Sequence, residues 1–409
     1  MGKIRPTNAE ILARRLKAIG VRYVFGIPSG QILAAVEALE ACGIRFVLVS
    51  HEMSAAFMAD VIGRLTGVPG VALATLGPGA TNLTTGVGNA LLDRSPCLIV
   101  TGQVPSGQFG RRVQMHVDHQ QLFRPLTKGS FLLAPGRILE TLDRAVRLAL
   151  AEPPGPVHLD LLEDFALDRE PADADSRVRV AAELMGGLGT ALDALDAAGL
   201  SRTAWDLETI RRFRVRLAKS LRPASRRFQP HQVVDLLRAW LPASGILTCD
   251  VGAHTHIVAA QWPVPRLGTL LVSNGWSSMG YAIPAALAAK LARPRREVAC
   301  IVGDGGFLMQ AGEMATAARL GCRVLFVVLR DASLSLIRAK QERRRYRSVG
   351  VALGSDERSA PADYFGVPCL PARSAQEFRT ALRRAARRRG PVVIEAVVDG
   401  SRYGELLYA

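Results

Sequence analysis

The sequence has few aromatic residues, no paired cysteine motif and no long apolar run, and each absence excludes a class of protein. Only 6% of its 409 residues are aromatic, whereas 49% are hydrophobic, with Ala, Leu, Val and Gly abundant. This balance favours alternating strands and helices over a β-sandwich. A chain of this length is expected to form two or three domains rather than a single core.

The six cysteines are widely separated, and no CxxC pair or Cys/His ligand spacing occurs, so a zinc site is not expected. Most of them stand in apolar runs and are expected to be buried, reduced thiols. No apolar run is long enough to span a membrane, and the first residues have the pattern of a capped amphipathic helix. We therefore expect a cytoplasmic protein without a membrane partner.

The formal net charge is +16, and the excess is mainly arginine. A summed positive potential of this kind attracts polyanions. The arginines are nevertheless spread along the whole sequence, and no aromatic residues are interleaved with their runs as a base-stacking surface needs. We interpret them as solvated arginine faces, and no nucleic-acid partner is expected.

Two stretches alternate helical periodicity with short apolar runs, a pattern that predicts α/β units with mostly parallel sheets. The predicted domains are 1–170 and 229–409, and residues 171–228, which contain no strand-like run, are predicted to be a helical connector. The predicted strands are 22–25, 46–49, 71–75, 97–101 and 157–161 in the first domain, and 246–249, 269–272, 298–302, 324–329 and 392–397 in the second.

Carboxylates follow two of the predicted strands in the second domain. Gly303-Asp304-Gly305-Gly306 follows residues 298–302, and Arg330-Asp331-Ala332-Ser333 follows residues 324–329. Mg²⁺ prefers hard oxygen ligands, commonly carboxylates plus phosphate oxygens, and glycines let backbone amides approach phosphates. Asp304, Asp331 and the carbonyl of Ser333 therefore form a candidate Mg²⁺ site. A tight turn that caps a helix would explain the Gly-Asp-Gly sequence equally well on its own.

The spacing of these motifs resembles that of thiamine-diphosphate-dependent enzymes, in particular the acetolactate synthase and benzoylformate decarboxylase group. After Gly-Asp-Gly come 24 residues and then the position of a pair normally written Asn-Asn or Asn-Asp, and SNGWSSMGYAIPAA at 273–286 matches as well. The resemblance covers residues 7–165 and 229–400. It implies an α/β fold with two doubly wound parallel-sheet domains, which bind the pyrimidine and the diphosphate of the cofactor and are joined by a short helical connector.

The resemblance also implies which residue activates the cofactor. Segment HEMSAA at 51–56 follows a predicted strand, opens a helix and resembles the family's HE-x-x-AA segment. In this family the cofactor's own 4′-amino group removes the proton from C2 of its thiazolium, and a carboxyl group at N1′ of the pyrimidine promotes that step. Glu52 is expected to be this carboxyl, with an ordinary first-turn helix position as the alternative. His51 is expected to have a structural role.

Further positions take cofactor roles by the same matching. Met279 would support the bent cofactor, and the carbonyl of Ser277 would receive the 4′-amino group. Gly252, Ala253 and His254 are candidate diphosphate contacts, although His254 has a plain helix position as its alternative. The other expected cofactor contacts are Pro28, Gly79, Asn82, Gly303, Gly305, Gly306 and Leu334.

The loops expected to face the substrate depart from the family pattern. FGIPSG at 25–30 stands where relatives have Phe-Gly-x-Pro-Gly-Gly, and the usual Phe-Gln-Glu is Gln114-Met115-His116. His116 could protonate the carbanion left by decarboxylation or lie at the rim of the pocket. The expected substrate pocket consists of Ile27, Ser29, Gln114, Met115 and Lys128.

Full-length relatives carry a middle domain, which in acetolactate synthase holds FAD. Only residues 171–228 take its place here, so FAD is not expected, and 205–223 are expected to be the closing helix of the connection. The family places the pyrimidine domain of one subunit against the diphosphate domain of another, which implies a homodimer or homotetramer with its active sites at the subunit interface. Arg330, where Asn is usual, would either offset the charge of the two aspartates or point to solvent.

The expected activity is decarboxylation or carboligation of a small 2-oxo acid through a C2 ylide and an enamine, with thiamine diphosphate and Mg²⁺ as cofactors. Acetolactate synthesis proper is the alternative among enzymes. A catalytically idle cofactor-binding homologue is the alternative from another class, because the middle is short and the substrate loops are altered. The sequence does not identify the 2-oxo acid.

Overall fold

The computed structural model describes residues 5–169, 206–354 and 360–404, which form two α/β units, each built on one sheet. Alternate residues of a strand enter different hydrophobic clusters: Phe25 and Ala72 pack on one side of the first sheet, and Val24 and Val71 on the other. Both faces are therefore covered, which is why the strands read as continuous apolar runs. The expected fold class is confirmed.

The first sheet has six parallel strands in the order β2-β1-β3-β4-β6-β5. A capping box between Thr7 and Glu10 starts its first helix. The strands are β1 Tyr23–Gly26, β2 Arg45–Leu48, β3 Gly70–Ala74, β4 Cys97–Gln103, β5 Ser130–Leu132 and β6 Pro156–Leu162, and the helices are α1 Asn8–Ala18, α2 Leu33–Ala41, α3 Glu52–Thr66, α4 Pro78–Leu92, α5 His119–Phe123, α6 Ile138–Leu150 and α7 Glu163–Leu167.

The second sheet has seven strands in the order β11-β12-β13-β10-β9-β7-β8, and only β11 runs antiparallel to its neighbour. The strands are β7 Ile246–Cys249, β8 Leu270–Val272, β9 Val298–Gly303, β10 Leu325–Arg330, β11 Asp363–Tyr364, β12 Val367–Ala372 and β13 Val392–Val397. The helices are α8 Leu207–Ser220, which precedes the unit, and α9 Pro230–Trp240, α10 Ala253–Gln261, α11 Ala282–Ala292, α12 Asp304–Gln310, α13 Glu313–Leu320, α14 Ser335–Arg343 and α15 Ala375–Ala386.

Helix α8 lies within the predicted closing helix at 205–223, whereas the earlier part of the predicted connector falls largely outside the described residues. Within the described ranges no helix is both long and apolar enough to cross a membrane. All six cysteines are free thiols, and all but Cys42 are buried, as the sequence predicted.

Helices α3 and α11 join the two units. Helix α11 is apolar on nearly all sides, as is typical of a helix buried in the interior of a protein, whereas α3 also carries buried polar residues such as Ser54 and Asp60. Eight consecutive residues of α11, 282–289, are buried, and so is most of α3. Phe57 of α3 packs edge-to-face on Tyr281, which precedes α11, with ring centroids 5.4 Å apart. One hydrophobic cluster therefore extends from the first sheet to the second.

Candidate active site

The candidate residues of the second unit follow four strands at the carboxyl edge of its sheet. Residues 252–254 follow β7, 277–279 follow β8, 303–306 end β9 and open α12, and 331–334 follow β10. Strands β7 and β9 are neighbours, although the connection from β7 leads first to β8 on its other side. Such a reversal of strand order leaves a crevice, where α/β sheets commonly bind their ligands.

Asp304 and Asp331 lie at the ends of the adjacent strands β9 and β10. Asp304 Oδ2 accepts hydrogen bonds from the backbone amides of Asp331 at 3.2 Å and Ala332 at 2.8 Å. Asp331 in turn accepts from the amide of Ser333 at 3.2 Å and from the hydroxyl of Ser335 at 2.6 Å. Burial, and then the charge of Asp331, raises the pKa of Asp304 to about 6. A divalent cation bound by both carboxylates would remove their mutual repulsion, so the pair fits Mg²⁺.

A cavity of about 200 Å³ lies beside this carboxylate pair. Two buried polar atoms of its lining residues, the Ser333 hydroxyl and Nε2 of His254, have no hydrogen-bond partner among the described residues. Burial also lowers the pKa of His254 to about 4. Because unpaired buried polar groups cost free energy, a polar ligand would be stabilised here. The lining residues are 251–254, Ser277, Met279, 303–306, Leu329, Asp331, 333–337 and Tyr403.

Three glycines keep this cavity open. A Cβ atom on Gly252 would lie 2.8 Å from the ring of His254, and one on Gly305 would lie 2.7 Å from Cδ2 of Leu334 and 3.1 Å from Cε of Met279. A Cβ on Gly303 would also approach the His254 ring, at 3.3 Å. Bare backbone and the first turns of α10 and α12 favour an anion, so the cavity fits a diphosphate group.

Asp250, which none of the sequence motifs marks, is a buried carboxylate that lies against Gly306 of the cavity lining. Its Oδ2 accepts a hydrogen bond from the amide of Gly280 at 3.0 Å, and its Oδ1 accepts one from Ala282 at 3.1 Å. Complete burial raises its pKa to about 6, although these backbone hydrogen bonds lower it. The signal was available, because this carboxylate comes directly after the predicted strand 246–249.

Ser277 and Met279 lie in the segment between β8 and α11 that Asp250 holds at its far end. Ser277 has a φ of +52°, and Ala332 on the other side of the cavity has a φ of +55°. Residues other than glycine seldom adopt this left-handed conformation. The surrounding contacts must therefore hold both turns in place.

Glu52 begins α3 in the first unit and is 8% exposed. Its Oε2 accepts a hydrogen bond from the side-chain amide of Asn82 at 2.9 Å, and a Cβ on Gly79 would lie 3.5 Å from its Oε1. His51 caps the helix, since its Nδ1 accepts from the amide of Met53 at 3.1 Å. The structural role expected for His51 is therefore confirmed. Glu52, Gly79 and Asn82 form one group at the carboxyl edge of the first sheet.

The predicted substrate residues Ile27, Ser29, Gln114 and Met115 follow β1 and β4 at the same edge. Lys128 lies at the opposite edge, where its amide donates to the carbonyl of Pro156, the first residue of β6, at 2.8 Å. Ile27 is half-buried and Pro28 is exposed, while the Ser29 hydroxyl lies 3.5 Å from Oε1 of Gln31. Gln114 is exposed, and so is Met115, which has a φ of +63° and a carbonyl close to Gly77.

His116 and Lys128 line a separate cleft of about 570 Å³. Nδ1 of His116 lies 2.9 Å from Oε1 of Gln103, and partial burial lowers the pKa of Lys128, against an opposing effect of Glu152. Within one chain, no described residue of the first unit lines the diphosphate-sized cavity. The second-unit residues thus line one cavity, whereas the first-unit residues are divided between the Glu52 group and a separate cleft.

Arg330 has neither of the two roles expected for it. Its side chain is 5% exposed, and its Nε lies 3.1 Å from Oε1 of Glu395 on the neighbouring strand β13. Oε2 of Glu395 also accepts a hydrogen bond from the hydroxyl of Tyr364 at 2.5 Å. The guanidinium is therefore directed to the buried carboxylate of Glu395. Successive residues along a strand point to opposite sides, so Arg330, the last residue of β10, points away from the side of Asp331, which follows it.

The fold and the site together define a thiamine-pyrophosphate enzyme. The family model for the N-terminal TPP binding domain of thiamine pyrophosphate enzymes matches residues 6–122, and that for the C-terminal TPP binding domain matches residues 250–396. The chain belongs to this family, within its acetolactate synthase-like group.

Its relatives include the acetolactate synthase of Bacillus subtilis (strain 168), 26% identical over 536 aligned positions that cover 97% of this chain and 94% of the relative. Acetolactate synthase isozyme 1 large subunit of Escherichia coli (strain K12) is 27% identical over 530 positions, with the same coverage. A probable acetolactate synthase large subunit of Methanocaldococcus jannaschii is 25% identical, over 96% of this chain and 92% of that protein. These alignments are longer than the chain itself, so part of each relative has no counterpart here.

Proposed function

We propose that the protein uses thiamine diphosphate and Mg²⁺ to decarboxylate or carboligate a small 2-oxo acid. The observation that carries this proposal is the aspartate pair beside a glycine-lined cavity with unpaired buried polar atoms. When bound, thiamine diphosphate supplies a carbon nucleophile for the substrate carbonyl and accepts the electron pair that is left behind when CO₂ departs.

The residues of the second unit bind and orient the cofactor. Asp304, Asp331 and the carbonyl of Ser333 would hold Mg²⁺, and Ser277 would accept a hydrogen bond from the 4′-amino group. The ends of the Met279 and Leu334 side chains both lie close to Gly305 and would provide apolar support. The diphosphate would contact residues Gly252, Ala253, His254, Gly303, Gly305 and Gly306.

Glu52 would exchange a proton with N1′ of the pyrimidine, with its carboxyl group oriented by Asn82 and closely approached by Gly79. The cavity proposed for the diphosphate is lined, among the described residues, by the second unit alone, which supports an active site completed by Glu52 of a second chain. We therefore propose at least a homodimer, with domains at 1–170 and 229–409 and a shortened connector at 171–228.

The substrate would contact the loops after β1 and β4 of the first unit, with the predicted pocket residues Ile27, Ser29, Gln114 and Met115, while Pro28 would contact the cofactor. The other predicted pocket residue, Lys128, lines the cleft that it shares with His116. His116 is held by Gln103 and is only partly exposed, so it is the residue of these loops best placed to move a proton.

The proposal is tested by titrating thiamine diphosphate with and without Mg²⁺ and then screening 2-oxo acids for CO₂ release with the same preparation. We expect Mg²⁺-dependent binding and turnover of at least one 2-oxo acid. Glu52→Gln should retain cofactor binding and lose turnover, since the amide cannot exchange a proton at N1′. Cofactor binding without any turnover across the panel would instead favour an idle homologue.

Acetolactate synthesis is the second candidate, because the relatives compared above carry that name. Supplying pyruvate alone separates the two candidates. Acetolactate as the main product would establish the synthase, whereas acetaldehyde would establish a simple decarboxylase. The changed sequence at Gln114, Met115 and His116 favours the decarboxylase.

A further inference from the structure

The segment 273–278, which carries Ser277, is fixed by the first unit of its own chain. Asp93, just after α4, accepts hydrogen bonds from two consecutive backbone amides of this segment: Oδ1 from Gly275 at 2.9 Å and Oδ2 from Asn274 at 3.4 Å. The contact is close, because a Cβ on Gly275 would lie 2.5 Å from Cβ of Leu92. The first half of the segment therefore rests on the end of α4.

A second set of hydrogen bonds closes the segment on itself. The Ser273 hydroxyl donates to Oδ1 of Asn89 on α4 at 2.6 Å and accepts from the amide of Ser278 at 2.9 Å. Between these ends, Trp276 packs on α4 so closely that a Cβ on Gly88 would lie 2.8 Å from its ring. Both ends of the turn that contains Ser277 are thus held by the same helix.

Arg64, near the end of α3, holds Asp93 in place. Its Nη2 donates to Oδ2 of Asp93 at 2.9 Å and to the hydroxyl of Tyr281 at 3.2 Å. The same guanidinium binds Asp60 through two bonds of 3.0 and 2.8 Å, and Asp60 accepts from Asn89 at 2.7 Å. The segment thus rests on a mostly buried network in which one guanidinium binds two carboxylates.

We propose that Asp93, held by Arg64, is a positioning residue for the cofactor: it fixes the turn at 274–275 so that Ser277 keeps its left-handed conformation and its carbonyl faces the 4′-amino group. This inference rests on the proposed function. Helix α3 would then serve both active sites of a dimer. Glu52 at its start would act in the site of the partner subunit, and Arg64 near its end would support the site of its own chain.

The first test measures the turn itself, without cofactor. Hydrogen–deuterium exchange of the amides in 273–282 is compared between wild type, Asp93→Ala and Asp93→Asn. Loss of the hydrogen bonds should speed exchange at 274–275 by about tenfold in the alanine variant. The asparagine variant should be intermediate, because its amide oxygen still accepts from Gly275. Unchanged exchange in Asp93→Ala would refute the proposal.

Asp143→Ala is the matched control. Asp143 also forms a largely buried pair with an arginine of the first unit, Arg15, whose Nε lies 2.6 Å from its Oδ1, but it lies on α6, away from the segment. The control should lower the unfolding temperature and leave exchange at 274–275 unchanged. If it sped exchange there as much as Asp93→Ala does, Asp93 would have only a general structural role.

The second test uses mixed dimers of one Glu52→Gln subunit and one Asp93→Ala subunit, with each variant alone as reference. In the proposed arrangement, each site combines Glu52 of one subunit with Ser277 and Asp93 of the other. One site of the mixed dimer therefore carries both substitutions and the other carries neither, so about half of the wild-type turnover should return. Failure to recover turnover would overturn the proposal. A wild type that turns over no 2-oxo acid would refute the proposed function instead, while the exchange result on Asp93 would still stand.

Discussion

Replacing Gly306 with alanine tests whether Asp250 is as rigidly held as its contacts indicate. The added Cβ would lie 1.9 Å from Oδ2 of Asp250, so the carboxylate or α12 must move by at least about 1.5 Å to reach an ordinary contact distance. That movement breaks the hydrogen bonds of 3.0 and 3.1 Å to Gly280 and Ala282. Each bond to a charged acceptor contributes roughly 1.5–3 kcal/mol, and alanine regains about 1 kcal/mol of helix propensity. The expected net loss is about 3 kcal/mol.

The assay is urea unfolding of Gly306→Ala beside Gly305→Ala. A Cβ on Gly305 would lie near the ends of the Leu334, Met279 and Leu353 side chains, which can rotate away, so this control should stay within about 1 kcal/mol of wild type. Because both substitutions lie in α12, the gain in helix propensity cancels between them. In an Asp250→Ala background the cost of Gly306→Ala should largely disappear. Equal stability of the two alanine variants would refute the reasoning.

Three further predictions concern charge and protonation. Because the pKa of Asp304 is about 6, calorimetric Mg²⁺ affinity should stay flat above pH 6 and fall up to tenfold per unit below it; constant affinity down to pH 5 would contradict this. Burial lowers the pKa of His158 from 6.5 to about 4, so between these pH values the imidazole is protonated in the unfolded chain but not in the folded one. About 3 kcal/mol of stability should therefore be lost as the pH falls from 6.5 to 4. His158→Gln should flatten that loss in unfolding measured against pH. Arg330→Leu leaves Glu395 buried without its cation and should cost at least about 3 kcal/mol. Arg137→Leu, in a fully exposed pair with Glu140, should leave the stability nearly unchanged.

Most strands could be predicted because a strand buried on both faces leaves an unbroken apolar run. The bounds of β7 and β13 match their predicted ranges, and β1 and β2 are displaced by one residue. Strand β5 has only three residues, and β12 contains Pro368 and Pro371, which disfavour a strand prediction. Both were missed for these local reasons.

Site residues could be predicted only where they belong to a short sequence motif. Asp304 and Asp331 each sit in a short motif after a strand, and the fold brings the two motifs together because β9 and β10 are adjacent. The partner of Arg330 was not predictable, because Glu395 becomes its neighbour only through pairing of β10 with β13. The contacts of Asp93 with 274–275 likewise join two units that no local pattern relates.

The left-handed turns at Ser277 and Ala332 have a consequence for attempts to make this protein more thermostable. A non-glycine residue in this conformation costs on the order of 1 kcal/mol, so glycine at either position would relieve strain. A selection for heat resistance alone would therefore enrich Ser277→Gly and Ala332→Gly. The same glycines would let the walls of the cofactor cavity sample other shapes, and such a selection would trade catalytic competence for melting temperature.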